Sequence, residues 1–187
     1  MSDKQTTVGG DSRRPYLTPF FLQCIIDSIY SPIFSVDENY IYTSFNKGHA
    51  AAMKSIYGVD IEFGKSILDY MSVEEDRATA KANLDRALRG ESFIEEAYSG
   101  DTKFSRHYFE VRHTPLKDET GTVYGVSVCA KDVTERKQAL NAVQASDSKL
   151  QAAINILPVG LWIIDAEGQI ITSSAAAQRI WGGGTLR

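Results

Sequence analysis

The side chains best suited to chemistry in this 187-residue chain are three histidines, two cysteines and one glycine-flanked loop that ends in Lys-Ser. His49, His107 and His113 are scattered, without the spacing of a metal site. Cys24 and Cys129 lie far apart with no CxxC spacing, which argues for no disulfide framework and suits a reducing compartment. The loop from Gly58 to Gly64-Lys65-Ser66 has the outline of a phosphate cradle. It carries five residues between its glycines rather than four, places Asp60 and Glu62 where phosphates would sit, and follows a helical stretch instead of a strand. The glycines at 182–184 are equally uninformative without a following helix. No nucleophile stands beside a base, so an enzymatic reaction is not expected.

Bulk properties narrow the class further. Hydrophobic content of 43% and charged content of 24% are those of an ordinary globular chain, long enough for one sizeable core and some extra structure. A net charge of −4, with Lys and Arg interspersed among Asp and Glu, argues against a nucleic-acid partner. Residues 1–15 are polar and lack the apolar stretch of a secretory signal, so a disordered lead-in is expected. The most apolar window, residues 17–36, is broken by Pro19, Gln23, Asp27 and Pro32, which speaks against a membrane span. The expected location is cytoplasmic.

The elements that would position a site follow from an internal repeat. Residues 22–45 align without a gap on residues 150–173, matching Leu22 with Leu150, Gln23 with Gln151, Ile26 with Ile154 and Asp37 with Asp165. Each copy reads as a helix end, an apolar strand, a turn opening on Asp, and a second strand. After the first copy come a short helix over 46–57, then a stronger one over 73–89 that Ser72 can cap and whose first turn holds Glu74, Glu75 and Asp76. Strands are expected near 92–98, 103–115 and 122–131, giving the order β-β-α-α-α-β-β-β. From Val133 a seven-residue repeat pairs Leu140, Asp147 and Ile154 with Val143, Leu150 and Leu157, as in a short coiled coil or a plain amphipathic helix.

These residues resemble the PAS family of sensor domains in four places. Asp37 in the hairpin turn and Asn46 opening the next helix are similar to the family's D-x-x-G…N-x-A pattern. Gly58…Gly64-Lys65-Ser66 is similar to its G…G-K-S stretch, and Val111-x-x-x-Pro115-Leu116-x-Asp118 to the end of its long strand. Gly125-Val126…Lys131-Asp132-Val133-Thr134-Glu135-Arg136-Lys137 resembles the D-I-T-E-R-K signature that closes the domain. The resemblance implies an α+β fold, a five-stranded antiparallel sheet with helices on one face, followed by a C-terminal signalling helix. It implies a layout of residues 16–134 as a PAS domain with an N-terminal helix, 135–157 as a helical linker, and 158–187 as the truncated start of a second PAS domain. The chain would then be a piece of a longer protein.

Period-2 alternation puts His107, Phe109, Val111 and His113 on one face of the long strand, the less charged and so the inner one. By resemblance, Gly125, Ser127 and Cys129 face the same cavity from the last strand, leaving Val126, Val128 and Ala130 outside. A ligand pocket would be lined by Phe109, Val111, His113, Ser127 and Cys129 and roofed by His49, Met53 and Ile67. Alternatively these side chains simply pack a filled core, with His113 hydrogen-bonded and inert and Cys129 a small buried hydrophobe. Haem is not supported, because the resemblance asks for a histidine on the long helix. Flavin photochemistry is not supported either, because the N-C-R-F-type cysteine motif is missing; the cofactor is unknown. Signal relay would run through Asp132 and Thr134 at the strand–helix junction and along Leu140, Val143, Leu150 and Ile154 of a dimeric seam. The expected function is a sensory module that binds a small molecule and signals to an output domain, of histidine-kinase type. The rival is a ligand-free module for homodimerisation or partner docking.

Overall fold

The computed structural model describes residues 18–181, in two compact units that meet in the chain at Val133 and Thr134. The expected lead-in over 1–15 and the glycines at 182–184 lie outside the described residues.

The first unit contains α1 (Pro19–Asp27), β1 (Ile33–Asp37), β2 (Tyr42–Phe45), α2 (Lys47–Tyr57), α3 (Ile67–Tyr70), α4 (Glu74–Leu88), β3 (Phe93–Ser99), β4 (His107–Lys117) and β5 (Val123–Asp132). The strands form one antiparallel sheet in the order β2-β1-β5-β4-β3. Its inner face presents Phe34, Val36, Phe109, Val126 and Val128, and onto these pack Met53, Ile56 and Tyr57 of α2, Ile67 of α3, and Leu84 and Ala87 of α4. The expected order of elements is the observed one.

Local chemistry explains most boundaries. Asn46 caps α2: its Oδ1 accepts the amides of His49 at 2.8 Å and Ile33 at 3.0 Å. Its Nδ2 donates to the carbonyls of Ile26, Ile29 and Ser31, so one fully buried side chain ties α1, β1 and α2 together. The α4 start departs from expectation. The N-cap is Val73, with no side-chain cap, because the Ser72 hydroxyl donates instead to Asp101 at 2.9 Å. The three acidic residues of the first turn stand at the positive end of the helix in place of a cap.

The face assignment of β5 also needs correction. Val128 lies opposite Phe34 on one side and His113 on the other, and Val126 opposite Val36 and Pro115. Directly paired residues share a face, so the valines point into the core, while Ser127 and Cys129 point to the opposite face. Val126 and Val128 are essentially fully buried and Cys129 is exposed, so it is not a buried hydrophobe. Burying two valines is worth about 1.5 kcal/mol or more each. That decides a parity which serine, cysteine and glycine could not contest. Gly125 has its own reason to be glycine, since a Cβ there would stand 2.5 Å from the Val36 carbonyl oxygen.

The second unit contains α5 (Thr134–Ile156), β6 (Trp162–Ile164), β7 (Ile170–Ser173) and α6 (Ala175–Trp181). It repeats the turn and the helix cap of the first hairpin with fewer bonds. Asp37 Oδ1 accepts the amides of Asn39 and Ile41, and Asp165 Oδ1 those of Glu167 and Gln169. Asp27 holds the amide of Lys47, and Asn155 that of Ala175. Ser174 takes the place of Asn46, its hydroxyl accepting from Leu161 and Ala177 and donating to the Val159 carbonyl. The irregularity in pairing falls between Ser35 and Val36 in one hairpin and between Ile163 and Ile164 in the other.

Candidate functional site

Between the helices and the inner face of the first unit's sheet lies a cavity of about 130 Å³. The cap at Asn46 and the helical repeat of α2 bring His49, Met53 and Ile56 to it. Ile67 comes from α3, and Phe109, Val111 and His113 from alternate positions of β4. Six expected residues therefore converge: His49, Met53, Ile67, Phe109, Val111 and His113. Ser127 and Cys129 do not, and Val128 and Ala130 line the wall in their stead. His107, expected on the same inner face, lies at the start of β4, half-exposed.

Sequence reasoning missed the contributions of α4 and β3. Thr79, Ala80 and Leu84 of α4 and Glu95, Ala97 and Ser99 of β3 border the cavity. The apolar stripe of Ala80 and Leu84 was a usable signal. On β3 the alternation misleads, because Ile94 and Tyr98 are the exposed residues and Glu95 is half-buried.

The polar side chains at the cavity are mostly satisfied within the protein. His49 Nε2 lies 2.8 Å from the Tyr42 hydroxyl, and its ring stacks on Phe34 at 4.3 Å. Burial lowers its pKa to about 3, so the imidazole is neutral. The same burial, with Tyr70 nearby, pushes the Tyr42 hydroxyl well above its usual value. Asp76 accepts from the Tyr57 hydroxyl, the Gly100 amide and both terminal nitrogens of Arg106, at 2.8 to 2.9 Å. This carboxylate fastens the first turn of α4 to α2 and to the β3–β4 connection. Asn83 donates to Glu95 at 2.5 Å, and burial raises the pKa of Glu95.

His113 is the exception. It is 4% exposed and stacks on Phe93 at 4.8 Å, and its Nδ1 is buried with no hydrogen-bond partner. Burial, and then the charge of Arg86, lowers its pKa to about 4. A backbone hydrogen bond at Val111 works in the opposite direction.

A family model described as the PAS fold matches residues 26–138. The chain belongs to the PAS family. It is 27% identical over 109 residues to the sensor protein FixL of Bradyrhizobium diazoefficiens, covering 58% of this chain and 22% of that protein, so it spans about a fifth of that relative. Solved structures share the fold at low identity. The PAS domain of a protein from Colwellia psychrerythraea matches with a TM-score of 0.50 and 17% identity, covering 62% of this chain and 97% of that one. A sensory box histidine kinase/response regulator from Burkholderia thailandensis matches with a TM-score of 0.51 and 16% identity, covering 70% and 98%. The fold is thus that of PAS domains, and the sequence is similar to that of a sensor protein.

At the end of the PAS sheet, Asp132 Oδ2 lies 2.6 Å from His107 Nδ1, joining the last residue of β5 to the first of β4. The next residue, Val133, is buried and donates its amide to the Tyr108 carbonyl at 2.8 Å. Thr134 then begins α5, on which Leu140, Val143 and Leu150 are exposed and Ile154 is half-buried. Among the described residues no group of three His, Cys, Asp or Glu is placed to hold a metal, and no helix is long and apolar enough to cross a membrane.

Proposed function

We propose that the chain is a sensory module whose PAS cavity binds a small molecule, and that α5 carries the change to an output domain of histidine-kinase type. The observation that carries the proposal is the cavity itself. Its wall includes Val128 and Ala130 of β5, the strand that runs without interruption through Asp132 and Val133 into α5. A ligand that favours one arrangement of β5 shifts the population of states at the helix root; one that binds both arrangements equally shifts nothing. In this reading His49, Met53, Ile67, Phe109, Val111 and His113 contact the ligand. Asp132 and Thr134 form the coupling point. Leu140, Val143, Leu150 and Ile154 form the seam of a homodimer in the cytoplasm, and the chain itself catalyses nothing.

Native mass spectrometry of the purified protein, followed by denaturation of the same sample, tests the cavity. A reproducible small-molecule adduct released on unfolding is the expected result. An apo protein unchanged by a metabolite screen would overturn it.

The second reading, a ligand-free dimerisation or docking module, draws on the exposed apolar side chains of α1, with Phe20 78% exposed and Leu22 and Ile25 close to half. Leu140→Asp separates the two. Loss of dimers is the outcome for the α5 seam, and surviving dimers point to α1 or the outer sheet face.

A further inference from the structure

Taking the cavity as a ligand site, the geometry points to the chemistry of its occupant: an uncharged, largely apolar molecule of about benzene's size that offers one hydroxyl to Nδ1 of His113. This assignment rests on the preceding reading and sharpens it.

Size comes first. An engineered apolar cavity of about 150 Å³ holds one benzene molecule. At about 130 Å³ this cavity takes a single ring or a compact chain of about six to eight heavy atoms. Charge comes second. At the wall Asp76 is paired with Arg106, Glu95 accepts from the neutral Asn83 amide with its pKa raised by burial, and both imidazoles are neutral. A charged ligand would give up its hydration to a mostly apolar wall, which disfavours it strongly, and an anion would in addition stand beside Asp76 and Glu95 without a counter-ion.

The polar group is set by the contrast between the two histidines. His49 is answered inside the protein by Tyr42 and needs nothing from a ligand. His113 Nδ1 is the one buried side-chain nitrogen or oxygen without a partner among the described residues, and the flat stack on Phe93, 11° between the rings, holds the imidazole at the cavity wall. A neutral ring nitrogen is a donor in one tautomer and an acceptor in the other. A hydroxyl meets either, whereas a carbonyl meets only the protonated one.

The test uses the intact chain and four probes: xenon under pressure, toluene, phenol and benzoate, followed by methyl NMR shifts and calorimetry. Xenon and toluene are expected to enter. Phenol is expected to bind at least about tenfold tighter than toluene, the effect of satisfying one buried polar group, and benzoate should not bind. His113→Phe should erase the advantage of phenol and keep toluene binding. In the wild-type protein phenol should also move the His113 Nδ1 resonance, a readout that needs no variant. Equal affinities for phenol and toluene, an unmoved Nδ1 resonance, or benzoate binding tighter than phenol would overturn the assignment and leave the cavity standing, because xenon and toluene still enter. Exclusion of every probe, xenon included, would overturn the ligand-site reading itself.

Discussion

The hairpin of β1 and β2 and the hairpin of β6 and β7 are built alike and end differently. Both close on an aspartate that accepts two amides of its own turn, and both are followed by a capped helix. In the first, β1 is paired on its other side by β5, and Phe34 and Val36 are buried. In the second, Trp162, Ile163 and Ile164 remain exposed. The turns differ in one instructive residue. The left-handed position is glycine in the second hairpin, Gly168 at φ 83°, and tyrosine in the first, Tyr40 at φ 63°. A side chain there costs about 1 kcal/mol. Tyr40 offsets that cost with tertiary contacts: its hydroxyl donates to Asp85 at 2.5 Å, and Lys81 sits over its ring. Local bonding is sufficient to shape a hairpin; a cavity needs the strands and helices that the first hairpin recruits.

The comparison is sharpest in acid. All three histidines lie in the first unit and both tryptophans in the second, so tyrosine signals and tryptophan fluorescence follow the two separately. Between pH 6.5 and about 4 the unfolded chain protonates His49 and His113 while the folded unit keeps them neutral. Stability of the first unit should therefore fall as pH falls, by about 1.4 kcal/mol per pH unit for each histidine, with no slope from them above about pH 7. Urea titrations across this range should show the slope flattened in His49→Gln and His113→Gln. An unchanged slope in both variants would remove the buried imidazoles from the account.

Asp76→Ala should cost the first unit about 3 kcal/mol, since it removes the acceptor of the buried Gly100 amide and the Tyr57 hydroxyl and the partner of Arg106, and leave the tryptophan transition in place. Asn46→Ala and Ser174→Ala break the comparison at matched positions. The asparagine makes five bonds and should cost about 3 kcal/mol, the serine about 1 kcal/mol. Equal losses would mean that both caps act only locally. The smallest effect is expected from Gly168→Ala, about 1 kcal/mol in the second hairpin from forcing a Cβ into the left-handed region. Each loss is read from the midpoint of denaturation.

Sequence reasoning reached the parts that depend on neighbours in the chain. The Asp37 and Asp165 turns, the Asn46 cap, the acidic start of α4 and the strand order along the chain all follow from short-range chemistry. So did the inner side chains of β4, because alternation there separates Val111 and His113 from Glu110 and Arg112. It failed on β5, where Val126-Ser127-Val128-Cys129 alternates between two plausible faces and only pairing with β1 and β4 selects one. Asp76 was legible as a helix-start residue but not as the anchor of four hydrogen bonds, because Tyr57, Gly100 and Arg106 come from other segments.

By itself, then, the order of residues determined the hairpins, the Asn46 cap and the family, since turn chemistry, capping and signature motifs act over a few positions. Tertiary structure alone decided which face of β5 meets the core and which histidine is satisfied. Both depend on partners distant in the chain: His49 has Tyr42 within reach, and His113 Nδ1 has no partner.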